Sequence, residues 1–542
     1  MRKNSNDRFF VLLLVGLWLL LYFPNHWGRD FSGTDEPKYA QVAREALLEG
    51  HWFALHFNGL PYHGEPPLYF WLEALFSLPR GDVTEFTAIL PSSLSALGTI
   101  LVVYFLGKRL FSMRAGLLGA MVLASLPQFH KFGCITRLDV PFAFFITSSL
   151  AAFYFGYTDP ARRRKYFLMT WLLMGLAAIT KKGPLAFLLV GAVIFIFLWR
   201  RKELALLRET QPLLGGLIAT ATILVWLLPA YWIEGRGYIE GLFGQFESHI
   251  KTPLGAGKFL FYFTEVLAGT LPWSLFLPSI FYKAVKGGMS MRENKGLEFP
   301  CLWFFIILLT FCIALQKFSR YILPLYPAVA LLVGNLWDGY MEKRPLNDWS
   351  GRKKAIVAAL GIPLGAVVAW TFFKSHIHEP IFSPTGIAIM SLGLITLLWA
   401  LRVSYQSGQS AVLFAFIFLA TCTFEMTYDR LLFPWQNENR SEKPLCLRIA
   451  NLIEPGTPWA IYKTFRPAHV FYTKSHPRNI GSENDLIPFL SSRERVYCLI
   501  LEEDYQGLNS RSGIDLFVVE KLKGPHRRTA NLLLISNKPP RP

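Results

Sequence analysis

Apolar stretches near bilayer length recur along most of this chain, and no other feature constrains its fold as tightly. They lie at 9–23, 86–106, 116–131, 139–157, 165–180, 184–199, 212–232, 259–281, 299–316, 321–338, 354–373, 381–401 and 410–428. A helix needs roughly 20 apolar residues to cross the hydrocarbon core. In lipid, its backbone groups must also be bonded internally, which selects helices. The expected fold class is an α-helical polytopic membrane protein with about 13 transmembrane helices. Hydrophobic residues make up 52% of the chain and charged ones only 17%, a balance that excludes a single soluble domain. The first stretch follows Arg2, Lys3 and Arg8 but precedes Pro24-Asn25-His26-Trp27, with no small-residue cleavage site, so it reads as a retained span rather than a signal peptide.

The formal charge of +18 is concentrated in short connections between apolar spans. That is the pattern of loops facing anionic headgroups, not of a nucleic-acid surface. Lys108, Arg109 and Arg114 share one connection, and Arg162-Arg163-Arg164-Lys165 lie two connections later. Arg200, Arg201, Lys202 and Arg208 follow, and the alternation continues to Arg402. The positive-inside rule then puts the N-terminus in the cytoplasm and residues 429–542 outside. The expected domains are a transmembrane domain over 1–428, with a first extracytoplasmic loop at 24–85, and a small α/β extracytoplasmic C-terminal domain over 429–542. Within that tail, Trp459–Tyr462, His469–Tyr472, Val496–Leu501, Leu516–Val519 and Leu532–Ile535 read as buried strands, with helices near 443–453 and 483–491. None of the six cysteines makes a Cys-x-x-Cys pair. Cys134, Cys301, Cys312 and Cys422 lie in or beside apolar spans and read as packing residues, whereas Cys446 and Cys498, in the polar tail, could pair if that tail is extracytoplasmic.

The first loop has structure of its own. Tyr39, Val42, Ala43, Ala46 and Leu47 have helical spacing, and Pro37 suits a first turn, so the pattern predicts a helix from Asp35 to Leu48. A second, aromatic-rich helix opens at Pro66-Pro67 and runs to Leu78. Both have the character of helices lying in the membrane interface.

The informative charges are those on the outer side, where the positive-inside rule does not explain them. They are Asp35, Glu36 and Lys38, then Arg137 and Asp139, Lys181 and Lys182, Glu247 and His249, and finally Lys317 and Arg320 beside Tyr321. Each has a plain structural reading: Asp35 as a helix cap, Arg137 with Asp139 as a pair, Lys181 and Lys182 reaching to headgroups. Together they match the needs of lipid-phosphate chemistry. Lys and Arg bind a phosphate, and a carboxylate orients or deprotonates an acceptor. Gly-rich nucleotide loops are absent in suitable context.

The run Asp35-Glu36-Pro37-Lys38-Tyr39-Ala40, followed by Gly59-Leu60-Pro61-Tyr62 and Glu65-Pro66-Pro67-Leu68-Tyr69-Phe70-Trp71-Leu72, resembles a bacterial membrane glycosyltransferase family. That family includes the lipid A aminoarabinose transferases and is related to the protein O-mannosyltransferases. Arg137-Leu138-Asp139, Thr180-Lys181-Lys182-Gly183-Pro184, Gly269-Thr270-Leu271-Pro272-Trp273, and Lys317 with Arg320-Tyr321-Ile322-Leu323-Pro324-Leu325-Tyr326-Pro327 extend the match in order. It covers roughly residues 9–340. The resemblance implies the C-type glycosyltransferase (GT-C) fold, a location in the bacterial inner membrane, a polyprenyl-phosphate-linked sugar donor and no nucleotide sugar. It makes Asp35 the catalytic carboxylate and puts Asp139 in the same cavity, and these two are the catalytic candidates. Lys317 and Arg320 would serve the donor phosphate, with Lys38, Arg137, Lys181, Lys182 and Tyr321 as further substrate-binding candidates. Glu36, Tyr62 and Glu65 complete the expected cavity.

One departure changes the local charge. Where the family reads Tyr-x-Glu-Lys-Pro-Pro, this chain reads Tyr62-His63-Gly64-Glu65-Pro66-Pro67, with a carboxylate in place of the lysine. The family's Glu-His element falls at Glu247 and His249. With His63 and Glu65 these are the ligand candidates for a divalent metal; no other cofactor is implied. The expected function is transfer of a sugar to an extracytoplasmic acceptor, a glycolipid such as lipid A. The expected partners are the lipid-linked sugar, that acceptor and the bilayer, with no nucleic acid. Two alternatives stand beside it: a protein acceptor, and a lipid or sugar transporter.

Overall fold

The computed structural model describes residues 3–181, 183–250, 260–286, 295–314, 316–342, 410–509, 514–525 and 531–539. The expected spans 354–373 and 381–401, and Lys182, lie outside these. The chain divides into two compact units. The first comprises Met1–His26, His63–Leu72 and Ile89–Leu431; the second comprises Trp27–Tyr62, Glu73–Ala88 and Leu432–Pro542. The first loop is thus shared between the two, with its middle segment in the first unit.

Seven described helices are long and apolar enough to cross a membrane: Glu85–Leu110, Asp139–Thr158, Pro184–Arg201, Pro212–Glu234, Gly296–Ile313, Ser319–Glu342 and Ser410–Leu452. The chain is a multi-pass membrane protein. Two expected spans are broken, each at a proline. The stretch 116–131 becomes Met113–Ala124 and Pro127–Gly133, with Pro127 starting the second helix. The stretch 259–281 becomes Phe261–Gly269, a 3-10 turn at Trp273–Phe276, and Leu277–Lys286, parted around Pro272. Proline lacks the N–H that an uninterrupted helix needs.

Without a hydrophobic drive between helices in lipid, close packing relies on small residues. A Cβ on Gly107 would stand 2.7 Å from the Gly116 Cα, and one on Gly334 would stand 2.5 Å from the Gly119 nitrogen. Glycines therefore set the approach of Glu85–Leu110, Met113–Ala124 and Tyr326–Glu342. Helix Asp139–Thr158 runs about 30 Å at 1.5 Å per residue. At its C-terminal end Arg109 Nε donates to Thr158 Oγ1 at 2.8 Å. The basic cluster 108–114 and Asp139 therefore mark opposite ends of this unit. Acidic partners compensate that cluster and its neighbours: Asp7 faces Lys108, Asp338 faces Arg114, and Glu298 takes both Arg200 and Arg201.

In the second unit the predicted loop helix is present at Asp35–Glu49, ended by Gly50 in the left-handed conformation. A hairpin follows, β1 (His56–Phe57) against β2 (Leu60–Pro61). Its Asn58-Gly59 turn has φ of 57° and 72°, as a type I′ turn requires. Glu45 accepts from both turn N–H groups, at 2.7 and 3.1 Å, and from Gln41 Nε2 at 2.8 Å. The tail carries β3 (Trp459–Tyr462), β4 (Arg478–Ile480), β5 (Tyr497–Leu501), β6 (Phe517–Leu522) and β7 (Leu532–Ser536). They form one mixed sheet in the order β4-β3-β5-β7-β6. The three strands β4, β3 and β5 are parallel, and β7 is antiparallel to both β5 and β6.

Alternation sorts the two faces. Ala460, Tyr462, Cys498, Ile500, Leu533 and Ile535 pack with Leu486 and Leu508, whereas Trp459, Ile461, Leu499 and Leu534 pack with Leu445 and Ile449. His469–Tyr472, read from sequence as a strand, is instead part of helix Pro467–Thr473. Pro467 occupies its first turn, and the Arg466 N–H donates to His469 Nδ1 at 3.1 Å. The short strand β4 was not foreseen, because Arg478-Asn479-Ile480 is too polar to read as buried. Cys446 and Cys498 are both free and buried.

Candidate functional site

Within the first unit, three separate stretches bring charges together. Asp139 opens its helix, where the unpaired N–H groups and the helix dipole favour a carboxylate. Lys181 follows helix Arg163–Ala178, its N–H bonded to the Ala177 carbonyl at 3.1 Å. Arg320 lies in the 3-10 turn Ser319–Leu325. The Lys181 ammonium donates to Asp139 Oδ1, and Arg320 Nε stands 3.8 Å from Asp139 Oδ2. Lys181 and Asp139 are almost closed to solvent, at 5% and 3% exposure, while Arg320 retains 23%. Tyr321 supplies a ring to both cations, 4.4 Å from Lys181 Nζ and 5.5 Å from the Arg320 guanidinium carbon. Its hydroxyl is within electrostatic reach of Arg320, Glu65, Asp139 and Tyr262. The departure at Glu65 therefore puts its carboxylate near this group.

The surrounding polypeptide is fixed by backbone bonds. Ser92 Oγ donates to the Arg137 carbonyl at 2.7 Å, and Ser92 Oγ and the Tyr69 hydroxyl are 3.2 Å apart. The Leu68 N–H donates to the Ile179 carbonyl at 3.0 Å, joining the Pro66-Pro67 motif to the Lys181 turn. Lys317 has backbone partners. Its ammonium donates to the Phe311 and Cys312 carbonyls, each at 2.7 Å, and so closes the C-terminal end of helix Lys295–Ile313. Burial lowers its pKa.

Gly269 and Trp273 are also structural. A Cβ on Gly269 would collide with Gln128 Oε1 and the Tyr326 hydroxyl, which bond to each other. Trp273 Nε1 donates to Ser125 Oγ at 3.0 Å. His63 packs its ring 5.1 Å from that of Tyr238, in space that a Cβ on Gly241 would take at 2.5 Å. Glu247 and His249 belong to helix Arg236–Ile250, but their side chains lie outside the described ones.

Within the second unit, Asp35 is the first residue of its helix. Lys38 Nζ donates to Asp35 Oδ1 at 3.1 Å, and the two side chains keep 28% and 20% exposure. Glu36 is used differently: Arg29 Nη2 meets its two oxygens at 2.6 and 2.7 Å, and the Ser32 N–H adds a bond at 3.0 Å. Both partners are buried, so Glu36 fixes the helix start. Tyr62 is half-buried, its N–H bonded to the Leu55 carbonyl at 2.8 Å.

Sequence reasoning missed one buried group in the first unit. His130, Cys134 and Asp429 offer ligand atoms within 4.8 Å of one another. The only local signals were the i, i+4 spacings His130/Cys134 and Glu425/Asp429 within apolar stretches.

The comparisons extend these observations. Residues 64–228 match the family model described as dolichyl-phosphate-mannose-protein mannosyltransferase. An undecaprenyl phosphate-alpha-4-amino-4-deoxy-L-arabinose arabinosyl transferase of Pseudomonas aeruginosa is 28% identical over 400 residues, spanning 72% of this chain and 69% of that one. The crystal structure of ArnT from Cupriavidus metallidurans bound to undecaprenyl phosphate superposes with a TM-score of 0.77, at 20% identity, over 97% of this chain and 98% of that one. The chain has the GT-C fold of ArnT and is similar in sequence to the arabinosyl transferases. An oligosaccharyltransferase from Archaeoglobus fulgidus shares that fold more distantly, with a TM-score of 0.51 at 12% identity over 94% of this chain and 71% of that one.

Proposed function

We propose that this protein transfers a sugar from a polyprenyl-phosphate carrier to an extracytoplasmic glycolipid of the lipid A class, with inversion at the anomeric carbon. The observation that carries the reading is the convergence of Lys181 and Arg320 on Asp139 beside Tyr321, in a fold shared with a structure holding undecaprenyl phosphate.

In this reading Lys181 and Arg320 meet the donor phosphate, and Arg320, the more exposed, makes the first contact. The bond between the anomeric carbon and the phosphate oxygen breaks, and its electron pair leaves with the polyprenyl phosphate. The two cations stabilise the charge that grows there. The acceptor oxygen attacks from the opposite face. Asp35 orients it and, for a hydroxyl acceptor, takes its proton. Both Asp139 oxygens face cations, so in this reading Asp139 acts as a positioning residue for them and Asp35 is the catalytic carboxylate. Arg137, Lys38, Tyr62 and Glu65 are assigned to the surrounding cavity, and Lys317 to holding the adjoining turn. In the proposed topology the N-terminus is cytoplasmic, residues 1–428 form the membrane domain and 429–542 lie outside.

The test uses purified protein, a labelled polyprenyl-phosphate sugar and lipid A in detergent. Covalent transfer without vesicles is expected. Movement of the lipid across vesicles with no new covalent product would replace the reading with transport. A protein acceptor is the second reading, favoured by the match of 64–228 to the protein mannosyltransferase model; mass spectrometry of proteins and glycolipids from cells with and without the gene separates the two.

A further inference from the structure

We infer that the first unit holds a structural divalent transition-metal site, zinc(II) being the best fit, formed by His130, Cys134 and Asp429, with Glu425 supporting the imidazole from its other ring nitrogen. The first pair lies one helical turn apart at the end of helix Pro127–Gly133, and the second pair one turn apart on helix Ser410–Arg440. His130 Nε2 is 2.8 Å from Asp429 Oδ2 and 3.8 Å from Cys134 Sγ, and His130 Nδ1 is 3.7 Å from Glu425 Oε2. Ligands of a tetrahedral zinc at its usual bond lengths are separated by about 3.3–3.5 Å, and His130 Nε2, Cys134 and Asp429 lie near that spacing, with Glu425 against the other ring nitrogen.

Charge supplies the second argument. His130, Glu425 and Asp429 are at most 7% exposed, and Cys134 is 1% exposed. Neither Glu425 oxygen has a hydrogen-bond partner among the described residues. A buried carboxyl without hydrogen bonds is costly unless a cation or a proton meets it. A divalent ion on His130 Nε2 leaves Nδ1–H to donate to Glu425, which then has a partner. Its binding releases the thiol proton of Cys134 and frees a ring nitrogen of His130. A thiolate with imidazole and carboxylate selects zinc or a similar ion over magnesium or calcium.

The supporting shell is present. Asn25 Nδ2 donates to Asp429 Oδ2 at 2.6 Å and to Cys134 Sγ at 3.1 Å, and the Tyr22 ring meets that of His130 at 4.8 Å. The ion would tie three distant parts of the chain together: the turn Phe23–His26, helix Pro127–Gly133 and helix Ser410–Arg440. Cys134 is five residues before Asp139, so the staple also fixes the segment that leads into the charged constellation.

The test is metal content by plasma mass spectrometry on purified full-length protein, followed by replacement with cobalt(II) alone. About one zinc per chain is expected, together with a thiolate-to-cobalt charge-transfer band in the near ultraviolet. Cys134→Ser should lose the band, while Cys422→Ser, another buried cysteine, should keep it. Wild-type protein with no metal beyond that of an Asp429→Asn/Cys134→Ser variant, and with no cobalt band, would overturn the proposal. The wild-type measurements stand even if a variant fails to fold.

Discussion

The Lys181 ammonium donates to Asp139 Oδ1 from a position only 5% exposed, and Asp139 itself is 3% exposed. A pair this closed to water reacts asymmetrically to mutation. Removing one partner strands a buried charge and costs about 3–5 kcal/mol, whereas apolar replacement of both is often close to neutral. Lys181→Met should therefore lower the melting temperature more than Lys181→Met/Asp139→Leu, and both should lose transfer. Thermal melts in detergent beside transfer assays check this; equal destabilisation of the two would contradict the burial argument.

Asp35 should behave in the opposite way. Its ion pair with Lys38 is partly exposed, and such pairs contribute roughly 0–1 kcal/mol. Asp35→Asn should leave expression, membrane insertion and melting temperature nearly unchanged while abolishing sugar transfer. Near-normal turnover in that variant would remove Asp35 from its assigned role.

Arg44 shows why the helix bearing Asp35 tolerates little change on its other face. Its guanidinium donates to Asp82 Oδ1 at 2.7 Å, to the Phe471 carbonyl at 2.6 Å and to the Val83 carbonyl at 2.8 Å, and it lies 3.8 Å over the Phe471 ring. Arg44→Lys retains the charge but loses the planar fork and the stacking. A loss of about 2–4 kcal/mol is expected, since buried acceptors would be left unpaired. Limited proteolysis of the second unit is the readout, with earlier cleavage in both Arg44→Lys and Arg44→Ala.

His469 gives the second unit an acid limit. Burial, with Arg466 adding to it, pushes its pKa down to about 3, and Nδ1 accepts the Arg466 N–H, which requires the neutral ring. Unfolded, the same histidine takes up a proton near pH 6.5. The unfolded chain therefore binds more protons between about pH 6.5 and 3. The stability contributed by neutral His469 is complete above pH 6.5 and declines as pH falls toward 3. Melting temperatures measured across that range should fall more steeply in the wild type than in His469→Gln.

Gly269→Ala tests whether the Gly-Thr-Leu-Pro-Trp motif is architectural. The added methyl would meet Gln128 and Tyr326, and overpacking of this kind costs about 1–3 kcal/mol. A lowered melting temperature with an unchanged KM for the donor is the expected result; a raised KM alone would assign the glycine to the binding site instead.

The helices were legible because a bilayer imposes length and apolarity on each one, so Asp139–Thr158 and Pro212–Glu234 are visible as composition. Breaks at Pro127 and Pro272 were harder to read, because apolarity continues across them. His469–Tyr472 misled because four mostly apolar residues fit either a buried strand or a short helix, and the cap at Arg466 decided between them. Lys181, Asp139 and Arg320 were each identifiable from misplaced charge, but their mutual contact depends on packing between stretches 42 and more residues apart. Glu36 and Lys317 had the same charge signature, but their partners, Arg29 and the Phe311 and Cys312 carbonyls, could not be read from it. His130 and Asp429 are 299 residues apart, and no local pattern joins them.

The division of the first loop between the two units has a consequence for anyone recombining this protein with its relatives. Arg44 is bound to Phe471, and Lys443 reaches Asp30 at 3.1 Å and Glu85 at 2.8 Å. A chimera that exchanges only the tail from Leu432 onward would confront these loop residues with foreign counterparts. The transplantable cassette is discontinuous: Trp27–Tyr62, Glu73–Ala88 and Leu432–Pro542 have to travel together, so a single crossover between Trp27 and Leu432 would part residues that are bonded to one another.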